Sequence, residues 1–112
     1  MKYYSKAKKT EVDGHKFDSK KEAVRYQELK LLERAGKIQN LQIQPRFQLS
    51  NHATTVKYPN GRIAAYTADF EYLDLETGQL VTEDVKGSWV TDIAKLRMAV
   101  FEAIYLRKVT IV

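Results

Sequence analysis

Asp69, Asp84 and Lys86 are the residues of this chain whose types and spacing best suit chemistry: two acids fifteen residues apart and a lysine two positions beyond the second. Each acid lies in a run rich in β-branched and aromatic residues, Arg62 to Leu73 and Gln79 to Lys86, and the turn-like Asp74-Leu-Glu-Thr-Gly78 joins them. A hairpin centred between Glu76 and Thr77 pairs Tyr72 with Val81 and sets Asp69 opposite Asp84. Like charges facing each other across a ladder destabilise it, so opposed carboxylates predict a cation between them. Magnesium or manganese, which take hard oxygen ligands, would find Asp69, Asp84 and the backbone carbonyl of Val85 there. Lys86 could then hold or deprotonate an attacking water and offset charge building on a phosphate. The same residues also fit a plainer reading, two solvated acids with Lys86 as their salt-bridge neighbour.

Strand alternation assigns Ala68, Phe70, Tyr72, Val81 and Val85 to an apolar face and Asp69, Glu71, Thr82, Asp84 and Lys86 to a polar one. Glu83 is misplaced by this pattern, pointing to the apolar side, which calls for a bulge or a partner. Around the hairpin, Val12 to Phe17 reads as a short extended piece or hairpin turning at Asp13-Gly14. Ser19-Lys-Lys-Glu22 has capping-box spacing and starts a helix running to about Ala35, ended by Gly36. Val24, Leu31 and Ala35 on one side of it and Leu29 and Leu32 on another predict a largely buried helix. Leu41 to Gln44 and Phe47 to Leu49 alternate like strands around Pro45, which marks an edge position or a break; Gln44 beside it could line a cleft with the acids, though a polar strand residue more often faces solvent. Asn51 to Asn60 reads as a loop or short strand closed by the Pro59-Asn60-Gly61 turn. Beyond the main hairpin, a helix over about Thr91 to Tyr105 presents Ile93, Leu96, Val100 and Ile104 on one face, and Lys108 to Val112 forms a last short strand. The order predicts an α/β sandwich around a mixed sheet.

Composition narrows the function classes. The 112 residues make one domain over 11–112, preceded by a basic arm, 1–10, with Lys2, Lys6, Lys8 and Lys9 and no acid. A net charge of +5 favours a polyanionic partner. Lys8 and Lys9 on the arm, which more often is a solvated segment, and Lys95 and Arg97 on the second helix, which equally fit surface charges, are the candidate phosphate contacts. With no cysteine there is neither a disulfide framework nor a thiolate zinc site, and no apolar run is long enough to span a membrane, so a cytoplasmic setting is expected. His15 and His52 lie in separate loops without zinc-ligand spacing.

The set Asp69…Asp84-Val85-Lys86, in this element order, resembles the D…(D/E)xK core of the restriction-endonuclease-like nuclease superfamily. More narrowly, Val12-Asp-Gly, Phe17-Asp-Ser, Glu22-Ala23, Ala68-Asp-Phe70 and Glu83-Asp-Val-Lys-Gly87 resemble the small phage and prophage endonucleases often described as Holliday junction resolvases. The superfamily's frequent proline before the first aspartate is Ala68 here. The resemblance implies a restriction-endonuclease-like αβββαβ core and a Mg2+- or Mn2+-dependent endonuclease acting on branched DNA as a homodimer in a bacterial host. It further implies that Asp69 and Asp84 ligate metal, that Lys86 is catalytic, and that Glu22 binds metal directly or through water. From the residues alone, closing the capping box is the preferred role of Glu22 over catalysis. The competing expectation is a DNA-binding or assembly factor that keeps the fold without turnover. Trp89, after the motif, fits the core, a DNA cleft or a dimer contact equally well.

Overall fold

A computed structural model of the protein describes residues 9–86 and 90–112. The positions of Lys8 and most of the basic arm, and of Gly87, Ser88 and Trp89, lie outside the described residues.

The chain opens with a hairpin, β1 (Thr10–Val12) and β2 (His15–Phe17), whose turn residues Asp13 and Gly14 both have positive φ, 53° and 78°. Helix α1 (Lys20–Arg34) begins where expected: Ser19 is the N-cap, and its hydroxyl accepts the Glu22 amide at 3.1 Å. It ends in a Schellman motif, with Lys37 N–H bonded to Leu32 C=O, Gly36 N–H to Glu33 C=O, and Gly36 at φ 76°. The strands that follow are β3 (Ile38–Ile43), β4 (Arg46–Gln48), β5 (Ala65–Thr67), β6 (Phe70–Asp74) and β7 (Gln79–Asp84); then come α2 (Asp92–Tyr105), N-capped by Thr91, and β8 (Val109–Ile111).

A four-stranded mixed sheet, ordered β3-β6-β7-β8, forms the centre. Its first three strands are antiparallel and β8 joins β7 in parallel. Along this sheet the chain runs helix, three strands, helix, strand, with β4 and β5 as a separate antiparallel pair. The expected single run 62–73 is therefore divided. Ala68 N–H bonds to Pro45 C=O and Asp69 N–H to Glu83 C=O, so the chain passes from the β4 partner to the β7 partner between them.

One face of the sheet packs on α1 through Phe17, Ala23, Tyr26, Leu29, Ile38, Phe70 and Tyr72. Ala64, Tyr66, Ala68, Phe101 and Val109 form a second core under α2. Full burial of a side chain such as Leu29 or Phe101 contributes about 1.5–3 kcal/mol. Three expectations are corrected here. Val24 and Leu31 are exposed, and Ala23, Tyr26 and Leu29 make the buried stripe of α1. On α2, Ile93 and Leu96 are exposed, because the helix meets the core through Phe101 flanked by Met98 and Tyr105. Ala68 packs with the α2 core, not with Phe70 and Tyr72, because it precedes the change of partner strand.

Candidate active site

The β6–β7 register is the expected one, with Tyr72 opposite Val81 and Phe70 opposite Glu83. The next step along both strands brings together Asp69, just before β6, and Asp84, the last residue of β7. Here the ladder gives way to side chains: the Val85 amide donates to Asp69 Oδ2 at 2.6 Å, in place of a backbone acceptor. The two carboxyl groups lie within hydrogen-bonding reach of each other. Such a bond requires a proton on one of them. Burial first, then this bond and the charges of Asp84 and Glu22, push the Asp69 carboxyl up to about 8.

Asp84 is buried and well tied down. Its Oδ2 accepts from the Tyr66 hydroxyl at 2.5 Å and pairs with the Lys86 ammonium at 3.0 Å. Tyr66, held in the α2 core, has its hydroxyl pKa raised by burial and by that bond, so it stays a donor to Asp84. On α1, Lys21 Nζ donates to the Lys86 carbonyl at 2.7 Å, fastening the first turn of the helix to the chain just beyond β7.

Glu22 approaches from the same helical turn. It is 5% exposed, which is too buried for a carboxylate that only closes a cap. Gln44 Nε2 donates to its Oε2 at 3.3 Å, and the backbone of Asp18 supplies another hydrogen bond. Burial chiefly, with the negative charges of Asp18 and Asp84, raises its pKa despite those bonds. The capping box is thus half formed: Ser19 caps the Glu22 amide, while the Glu22 carboxylate accepts from Gln44. Among the described residues no three His, Asp or Glu side chains form a ready-made metal-ligand group. Asp69 and Asp84 meet, whereas Glu22 stands off and interacts with them through its charge.

Glu83 lies on the opposite face of β7 and is fully buried. Its partner is Arg25, whose Nε and Nη2 reach its two oxygens at 2.9 and 2.6 Å, with the Tyr72 hydroxyl donating to Oε2 as well. This bidentate pair neutralises the acid that strand alternation left unexplained. It also leaves Glu83 committed to the α1 face and out of reach of the aspartate pair. Arg107 bridges Glu71 and Thr82 on the Asp84 face, its Nη2 donating to Glu71 Oε2 at 2.6 Å and its Nε to Thr82 Oγ1 at 3.4 Å. They are therefore covered and not solvated.

The candidate phosphate contacts are dispersed. Lys95 is exposed on α2, Lys9 is exposed before β1, and Arg97 donates to the Tyr58 hydroxyl at 2.9 Å. None of the three hydrogen-bonds to Glu22, Asp69 or Asp84 among the described residues. Sequence reasoning missed Tyr66 and Lys21 as members of the site. No local pattern marks Tyr66, because the β4–β5 pairing brings it to Asp84; Lys21 was hidden as one cation of a polar helical turn.

Among the described residues no helix is long and apolar enough to cross a membrane. No curated protein and no solved structure matches the chain. Residues 1–112 match the family described as "Protein of unknown function (DUF1064)", and the chain belongs to that family.

Proposed function

We propose that this protein is a divalent-metal-dependent DNA endonuclease with a restriction-endonuclease-like core, its active site built from Asp69, Asp84, Lys86 and Glu22. The observation that supports this most is the meeting of the Asp69 and Asp84 carboxyl groups at the end of β6 and β7, with Asp69 pushed up to about 8. An acid pair forced together in a partly buried site is unfavourable unless a proton or a cation sits between the two. The run of helix, three antiparallel strands, helix and parallel strand is the order expected for the proposed core.

The donor set fits a hard cation. Asp69 and Asp84 would hold Mg2+ or Mn2+ with the Val85 carbonyl as a neutral oxygen, and Glu22 would reach in from α1 directly or through water. When bound, such an ion neutralises phosphate charge and makes water more acidic. The chain's own groups do the rest. Tyr66 fixes the Asp84 carboxylate, and Gln44 holds Glu22. Lys86, freed from its 3.0 Å pairing with Asp84, orients the attacking water and offsets negative charge on the phosphorane-like transition state.

Branched DNA is the proposed substrate, and symmetric cutting of a junction would require two sites related by a two-fold axis, hence a homodimer. Cleavage of labelled four-way junction, flap, single-stranded and linear duplex DNA tests both parts. Symmetric metal-dependent cuts in the junction are expected. Cutting confined to another substrate would keep the nuclease and refute the junction preference, and binding without cutting by any substrate would refute the nuclease.

A further inference from the structure

The β4–β5 pair has two different faces. Phe47 and Tyr66 pack inward on Phe101, at ring separations of 4.8 and 5.2 Å. The alternate residues, Arg46, Gln48 and Thr67, line a cleft of about 770 Å³ together with Tyr58, Arg62 and Arg97.

Among the described residues three arginines and no acid border this cleft. Elsewhere the partly buried arginines are neutralised, Arg25 by Glu83 and Arg107 by Glu71. Among the described residues Arg46, Arg62 and Arg97 have no carboxylate within ion-pair distance. Guanidinium groups stay charged at any physiological pH, so three of them around one concavity repel each other until an anion is shared between them. The cleft is also shaped in advance. Arg97 is fixed by its bond to the Tyr58 hydroxyl and sits 5.7 Å from that ring's centroid. The wall carrying Arg62 is a closed turn, with Asn60 Oδ1 accepting the Arg62 amide and Gly61 N–H bonded to Tyr58 C=O.

Position gives the cleft its meaning. Arg46 pairs with Thr67 across the two strands. Two residues before Arg46 comes Gln44, which holds Glu22; two residues after Thr67 comes Asp69. Two residues of extended chain span at most about 7 Å, so the basic cleft adjoins the carboxylate site. We infer that this cleft binds the phosphodiester backbone of a nucleic-acid strand and holds it beside Asp69 and Asp84. The identity of the polyanion rests on the nuclease reading, whereas the affinity of the cleft for a phosphate chain does not depend on cleavage. Fork-shaped guanidinium groups match phosphate oxygens bidentately, and phosphate contacts of this kind position a strand without reading its sequence.

Fluorescence anisotropy with a labelled DNA single strand, in chelator and over a salt titration, separates the two readings. Each lost phosphate contact lowers the slope of log K against log salt by about 0.7 on a single strand. Arg46→Ala/Arg62→Ala should therefore lose about 1.4 of the slope, whereas Arg46→Lys/Arg62→Lys should keep it. Both arginines are exposed, so melting temperatures should not change. An unchanged slope in the alanine variant, or a wild type that binds no strand in chelator, overturns the cleft assignment. Displacement of the strand by a mononucleotide as readily as by unlabelled strand overturns it too, in favour of a small-anion site. Absence of metal-dependent cleavage beside a normal loss of slope would refute the nuclease and leave the cleft standing.

Discussion

Asp69→Asn should stabilise the metal-free protein, although it removes a side chain proposed to be catalytic. In the native fold the Asp69 carboxyl is raised from 3.8 to about 8. Between those values the folded chain holds a proton that the unfolded chain has released, so stability from this group is complete below pH 3.8 and falls as pH rises to about 8. At 1.36 kcal/mol per pH unit a span of this size is worth several kcal/mol at most. Asp69 is only half-buried, and screening by water at the mouth of the site brings the expected loss to about 2 kcal/mol. Asparagine keeps an oxygen for the Val85 amide and offers Asp84 a neutral donor, so it removes the pH-dependent cost. Thermal melts in chelator at pH 5 and pH 8 measure this. For a domain of this size about 2 kcal/mol is about 8 °C, so the variant should melt about that much above wild type at pH 8 and far less above it at pH 5. Manganese should raise the wild-type melting temperature at pH 8 and leave the variant nearly unmoved. A variant equally destabilised at both pH values would refute the idea that the two carboxylates oppose each other.

Arg25→Met should cost about 3–5 kcal/mol in urea denaturation, because it leaves Glu83 buried without its partner, and Arg25→Met/Glu83→Gln should recover most of that loss. Glu22→Gln keeps an acceptor for Asp18 and relieves a buried charge, so it should weaken manganese binding by calorimetry without lowering the melting temperature. Leu106 caps α2 at φ 58° with its side chain exposed, so Leu106→Gly should raise stability by about 0.5–1 kcal/mol.

What could be read from the sequence was local. Ser19 and Gly36 set the ends of α1, and the turn at Asp74 to Gly78, where Asp74 Oδ1 accepts the Glu76 amide, set the hairpin register that brings the aspartates together. Alternation also singled out Glu83 as a residue calling for a bulge or a partner. It could not supply Arg25, which lies 58 positions away and meets it only because α1 crosses the sheet. The division of the run 62–73 was equally hidden. No Gly, Pro or Asn turn signal interrupts it at Ala68 and Asp69, and only the competing bonds to Pro45 and Glu83 part them. Helix faces were misjudged where apolar spacing was taken for burial. Leu31 and Leu96 repeat with helical period and are nevertheless exposed, since Tyr26 and Phe101 decide how the two helices sit. Arg46, Arg62 and Arg97 come from three separate segments, so no sequence window shows the basic cleft.

Cleavage of labelled branched and linear DNA by wild type, Asp84→Asn and Lys86→Ala, each with Mg2+, Mn2+ or chelator, tests the proposed metal-dependent chemistry most directly. Wild-type cutting that requires the metal is expected to vanish in Asp84→Asn while DNA binding persists, and Lys86→Ala should be slower by about 10²–10⁴-fold with its fold intact. Cutting by Asp84→Asn at the wild-type rate, or cutting that survives the chelator, would contradict it.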